Sequence, residues 1–186
     1  MFFDIISVMQ YYQKKLFLVE VDVNDKIIGR IERWRAHKEG ILHRGFTVVL
    51  TYRNHFVFQR RKHLAFDKAL DLSFSSHQVY AGERLQTDLE AIYIALQREW
   101  NIDKTALIEE PKLLQKFYYK AKDTQSIFTE HEIDYVYKAE LKNYPLPNLD
   151  YAYGCCLIEK EKMKNLAGEI PNFNLVPWAS EIVKFI

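Results

Sequence analysis

Two cysteines, adjacent at Cys155 and Cys156, are all this 186-residue chain carries. Neighbouring cysteines cannot build a disulfide framework and have no metal-ligand spacing of their own. That fits a reducing compartment, and a cytoplasmic location is the expectation. Charge of one sign is also missing: 26 Lys and Arg face 25 Asp and Glu, a formal net charge of +1. No bulk attraction for nucleic acid or anionic membrane follows from such a balance, so any anion must be held locally. No apolar run is long enough to span a bilayer. Residues 1–9 are apolar apart from Asp4 and Ser7, but Lys14 and Lys15 follow the run instead of preceding it. No small-residue cleavage site follows either, so residues 1–15 are expected to be a packed lead-in. Internal repeats, low-complexity tracts, a helical H-E-x-x-H and a cysteine-rich zinc pattern are all absent from the sequence.

What is present is ordinary for a globular chain, with 48% hydrophobic and 27% charged residues. Its length predicts one domain over 1–186, large enough to bury a core. Strands are predicted over 16–23, 46–52, 55–60, 70–77, 113–120, 127–141 and 151–158. Asn24-Asp25 and Arg53-Asn54 supply two hairpin turns. Helices are predicted over 30–39, ended by Gly40, over 84–100, over 159–167, closed by Gly168, and from Pro177. In the second of these, Leu85, Leu89, Ile92 and Leu96 form one apolar stripe, and Glu99 falls on it. Interleaved sheet and helix predict an α+β (mixed α/β) class.

The chemistry centres on Glu130-His131-Glu132-Ile133-Asp134-Tyr135. Side chains two apart on a strand share a face, so Glu130 and Glu132 point the same way. Side by side they repel unless a cation or a shared proton lies between them. His37, His43 and His77 are imidazoles that could complete a cation site, with Gly40 allowing a bend between the first two. Three nitrogens and two carboxylates suit a borderline divalent ion. A solvated strand face and scattered surface or core histidines explain the same residues equally well at this stage.

The run Ala36-His37-Lys38-Glu39-Gly40-Ile41-Leu42-His43-Arg44, the pair Arg60-Arg61, His77, Glu130–Tyr135 and Val176-Pro177-Trp178 resemble the type I isopentenyl-diphosphate isomerases of the Nudix superfamily. The similarity runs over residues 19–186. It implies a Nudix-like mixed β-sheet between helices. It further implies a divalent ion (Mn²⁺, Mg²⁺ or Zn²⁺) on His37, His43, His77, Glu130 and Glu132, and a Mg²⁺ bridging the substrate diphosphate at Glu99. Glu132 takes the acid role in the resemblance, assisted by Tyr119, and Trp178 places its ring over a carbocation. Arg33, Arg61 and Lys68 lie at or near the family's basic positions for the diphosphate. The implied partner is a small prenyl diphosphate, taken by a monomer or weak dimer.

Two departures stand out. Where the family carries a catalytic cysteine, two residues before the ligand histidine, this chain has Ser75. A thiol of pKa about 8.5 exchanges protons near neutrality, whereas a hydroxyl needs a strong neighbouring base. The end of the superfamily's hydrolase signature should fall on Ile94-Ala95-Leu96-Gln97-Arg98-Glu99, where only Glu99 is a carboxylate. The leading expectation is an isomerase with chemistry altered at Ser75. The alternatives are a Nudix-type hydrolase of a diphosphate compound and a weakly catalytic prenyl-diphosphate-binding relic.

Overall fold

The computed structural model describes residues 10–166 and 174–186. The chain forms the hairpin Phe17–Val21 (β1) and Ile27–Glu32 (β2), the helix Arg33–Glu39 (α1), then His43–Tyr52 (β3) and His55–Arg61 (β4). Two short strands follow, Leu70–Asp71 (β5) and Phe74–Ser76 (β6), and a small hairpin of Tyr80–Ala81 (β7) and Arg84–Leu85 (β8). The long helix Asp88–Trp100 (α2) leads to Lys112–Lys122 (β9), Thr129–Glu140 (β10) and Ala152–Glu159 (β11). A 3-10 turn, Lys104–Ala106, precedes β9, and helices Lys160–Leu166 (α3) and Pro177–Ile182 (α4) follow β11.

β3 is the spine, pairing with β1, β4, β6 and β10. Its pairing with β10 is parallel, which a hairpin cannot produce; the intervening chain through α2 is the crossover. One sheet face packs Phe46, Val48, Leu50 and Tyr137 against Ile92, Ala95, Leu96 and Trp100 of α2. The other packs Val49, Val136 and Tyr119 against Trp178, Ala179 and Ile182 of α4. The class is therefore α+β, a mixed sheet between helices, as the sequence implies.

Several boundaries differ from expectation, each for a physical reason. The predicted helix over 30–39 begins only at Arg33, because Arg30 and Glu32 pair with β1 and the Glu32 carboxylate caps the Arg35 amide. The helix predicted from residue 84 begins at Asp88, since Thr87 and Glu90 form a reciprocal capping box and Arg84–Leu85 pairs with β7. The strand predicted over 70–77 is broken into β5 and β6. β3 starts at His43 instead of Phe46, because its first residues are clamped between β1 and β10. The N-terminal run over 1–9 and Gly168 lie outside the described residues.

Candidate metal centre and active site

Strand register assembles the site. Glu132 lies opposite His43 of β3 on one side and opposite Tyr119 of β9 on the other. The two-residue pleat places Glu130, Glu132 and Asp134 on one face, with His43, Gly45 and Thr47 alongside. Gly40 caps α1 in the left-handed conformation (φ 62°), turning the chain so that His37 returns to within 4.9 Å, centroid to centroid, of His43. His77, just beyond β6, brings its ring to 5.1 Å from both. One ligand atom from each of His37, His43, His77, Glu130 and Glu132 then lies within 4.8 Å of all the others. His77 Nε2 is 2.7 Å and His43 Nε2 3.3 Å from Glu132 Oε1, while His37 Nε2 is 3.2 Å from Glu130 Oε2.

This donor set fits a divalent ion. The Nδ1 atoms of His37 and His43 each lie 2.7 Å from a backbone carbonyl, of Arg33 and Ile41. A carbonyl only accepts, so each Nδ1 carries the proton and each Nε2 turns toward the cluster, the arrangement that outer hydrogen bonds impose on metal-binding imidazoles. Both carboxylates are buried, so the solvated-strand explanation falls away. Burial pushes the Glu132 carboxyl up, but His43 and His77 hold it well below the usual range. Desolvation takes His77 down to about 4, leaving it neutral.

His37 behaves differently, and its state is testable. Burial lowers it, but Glu130 outweighs this and raises it to about 9. An imidazolium cannot ligate, so filling the site at pH 7 must expel that proton. About one proton should be released per ion, and affinity should rise about tenfold per pH unit up to that value. Calorimetric titration in two buffers of different ionisation heat reads the release; identical apparent heats would remove His37 from the ligand set.

Beside the histidines lies a second group. Tyr119 donates to Glu132 Oε2 at 2.7 Å, and burial together with Glu132 keeps its phenol protonated. Ser75, paired across β6 with Thr47, lies 3.0 Å from the Thr47 hydroxyl. The Trp178 indole donates to Ser75 Oγ at 2.8 Å and to Asp71 Oδ1 at 2.9 Å. Trp178 packs at 5.7 Å from Tyr119 and 5.2 Å from Phe66, centroid to centroid. Ser75, Glu132, Tyr119 and Trp178 are thus linked through one hydrogen-bonded and stacked group.

A cleft opens next to these residues, and His37, His77, Glu130, Ser75, Arg33, Arg61, Arg98 and His63 are among those that line it. Arg33 is partly engaged by the carbonyls of Tyr11 and Tyr12, and Arg61 by Asp71 at 2.6 Å. Among the described residues their Nε atoms are buried without a partner. Lys68 is exposed, adopts a positive φ of 63°, and does not line the cleft. Glu99 is fully buried, its oxygens taken by Arg98 at 2.8 Å and His63 at 3.1 Å. Burial opposes ionisation there, yet His63 and Arg98 hold Glu99 at about 2. The carboxylate on an apolar stripe is therefore explained by two buried cationic or hydrogen-bonding partners.

No protein-family model matches the chain. A curated relative from Mesocricetus auratus, isopentenyl-diphosphate delta-isomerase 1, is 31% identical over 184 residues, covering 88% of this chain and 78% of the relative. The chain belongs to the isopentenyl-diphosphate delta-isomerase family. A Bos taurus relative of the same name is 29% identical over 176 residues, covering 85% of this chain and 76% of the relative. Among solved structures, a Deinococcus radiodurans protein superposes with a TM-score of 0.66 at 20% identity, covering 90% of this chain and 97% of that one. A MutT Nudix hydrolase from Burkholderia pseudomallei superposes with a TM-score of 0.57 at 14% identity, over 78% of this chain and 98% of that one. At such identities the superpositions establish the Nudix fold alone.

Within this isomerase family member, the sequence reading missed Gly45, Thr47, His63, Asp71 and Arg98. Gly45 offered a signal, since a glycine two residues after His43 inside a strand marks a close approach. Arg98 adjoins Glu99 but follows no motif. Asp71 and Thr47 reach Ser75 only through tertiary pairing.

Proposed function

We propose that the chain is a divalent-metal-dependent isomerase interconverting isopentenyl and dimethylallyl diphosphate. The reading rests on Glu132, which touches two of the clustered histidines and accepts from Tyr119, next to a cleft that Arg33, Arg61 and Arg98 help to line. His37, His43, His77, Glu130 and Glu132 would hold a divalent ion, Mn²⁺, Mg²⁺ or Zn²⁺, whose charge would fix and polarise Glu132. Glu132, ionised at rest, passes on to the terminal alkene carbon the proton it receives as the Tyr119 O–H bond breaks, the Tyr119 oxygen being reprotonated from solvent afterwards. The tertiary cation that results lies by the Trp178 ring, and loss of a proton on the Ser75 side places the double bond at its new position. Arg33, Arg61 and Arg98 hold the diphosphate, and Glu99, once released from its contacts with Arg98 and His63, would be the carboxylate for a Mg²⁺ that neutralises diphosphate charge. Guanidinium forks match phosphate oxygens geometrically. We place the enzyme in the cytoplasm, as a monomer or weak dimer.

Against hydrolysis stands the end of α2, where Glu99 is the lone carboxylate of residues 94–99 and is tied to Arg98 and His63. Purified protein incubated with isopentenyl diphosphate and Mg²⁺ is expected to yield dimethylallyl diphosphate without phosphate release. Inorganic phosphate in its place would move the assignment to the Nudix hydrolases, and no product at all to a binding relic.

A further inference from the structure

A hydroxyl where a thiol belongs needs a base, and the fold places one behind it. Asp71 is fully buried at the end of β5, four residues before Ser75. Its Oδ2 lies 3.1 Å and its Oδ1 3.3 Å from Ser75 Oγ. The same carboxylate accepts from Arg61 Nη1 at 2.6 Å, from the Leu72 amide at 2.8 Å and from the Trp178 indole at 2.9 Å. Arg61 is itself buried, so Asp71 has a counter-ion within the interior. Ser75 Oγ receives the Trp178 indole at 2.8 Å, which leaves its own hydrogen for Asp71 or Thr47. Thr47 can turn its hydrogen to Asp134, at 2.9 Å, so Asp71 is free to take that of Ser75.

We propose that Asp71 is the positioning residue that lets Ser75 accept a proton, by taking the Ser75 hydroxyl hydrogen as Ser75 takes one from the substrate. This rests on the isomerase reading above. In the step, the C–H bond next to the cationic carbon breaks and its electron pair becomes the new π bond. The released proton forms an O–H bond at Ser75, whose original O–H bond breaks as its proton bonds to Asp71. Charge balances: the cation is quenched and the Asp71 carboxylate becomes neutral. The reverse reaction returns that proton. A hydroxyl used this way never has to exist as a free alkoxide, which is the obstacle that a serine otherwise meets.

The test is a cycle between Asp71→Asn and Ser75→Cys, with dimethylallyl diphosphate formation as the readout. In the parent, Asp71→Asn is expected to lower kcat about a hundredfold, a usual size for losing a base, with KM changed less than about twofold. In Ser75→Cys the thiolate is its own base, and a neighbouring carboxylate only discourages it. There Asp71→Asn should leave kcat unchanged or raise it. Equal losses in both backgrounds would reduce Asp71 to an anchor for Arg61 and Trp178 and overturn the proposal, as would full activity of Asp71→Asn in the parent. If Asp71→Asn does not fold, the solvent deuterium isotope effect on kcat decides between the parent and Ser75→Cys. The relay requires the larger effect in the parent, where an additional O–H proton is in flight, and an equal effect overturns it. Absence of product from both the parent and Ser75→Cys would instead sink the isomerase reading itself.

Discussion

Glu132→Gln is expected to lower kcat by about a thousandfold, within the range general acid groups supply, which corresponds to about 4 kcal/mol of barrier. The reason is that one side chain serves two assemblies. Oε1 lies against His77 and His43, and Oε2 accepts from Tyr119. An amide fills the same volume but carries no negative charge for a bound cation and cannot take up and pass on a proton from Tyr119. The metal content of the purified variant should fall together with kcat, while KM should move much less, because Arg33, Arg61 and Arg98 are untouched. Glu130→Gln provides the contrast: it removes a charge facing His37 but no contact to Tyr119, so metal should be lost with a smaller deficit at saturating ion. Turnover of Glu132→Gln within tenfold of the parent would remove Glu132 from the proton-transfer role.

How far the sequence revealed this site depends on which interactions are local. The shared face of Glu130 and Glu132 follows from strand periodicity, and the return of His37 to His43 follows from Gly40, whose left-handed conformation the structure bears out. The isomerase family was legible from those same residues. Hidden from the sequence was anything set by register between distant strands. Ser75 meets Thr47 because β6 pairs with β3, and Asp71 meets Trp178 across 107 positions of chain. Neither pairing leaves a periodic trace. The break between β5 and β6 was missed because Leu70–Ser76 has enough apolar residues to look like one strand. Lys68 looked like a phosphate ligand by its charge and neighbourhood; in the fold it is exposed and outside the cleft lining, to which His63 and Arg98 belong. Charge is readable from sequence; the direction of a side chain after an irregular loop is not.

Gly45→Ala should disable the site without touching a single functional group. Gly45 sits on β3 two residues after His43, and a Cβ there would lie 2.3 Å from Glu132 Oε2, 2.5 Å from its Cδ and 2.7 Å from Oε1. Real contacts are never so short, so either Glu132 swings away from His43 and His77 or β3 and β10 part. Strand separation breaks backbone pairing along the Glu132–Glu140 register, so the side chain is the part that yields. Overpacking a core position typically costs about 1–3 kcal/mol, and the displaced carboxylate loses its buried partners as well. Metal content should therefore drop to near background and kcat by about a hundredfold or more, with a lower melting temperature. Gly82→Ala is the control: its positive φ of 63° is strained for alanine, but nothing among the described residues lies within 4 Å, so stability should fall slightly with metal binding intact. Combining Gly45→Ala with Glu132→Asp shortens the obstructing side chain by one methylene, so the stability penalty of Gly45→Ala should shrink in that background. An unchanged penalty would mean that Glu132 is not what the methyl group meets, and full metal content in Gly45→Ala itself would refute the tight β3–β10 contact on which the site depends.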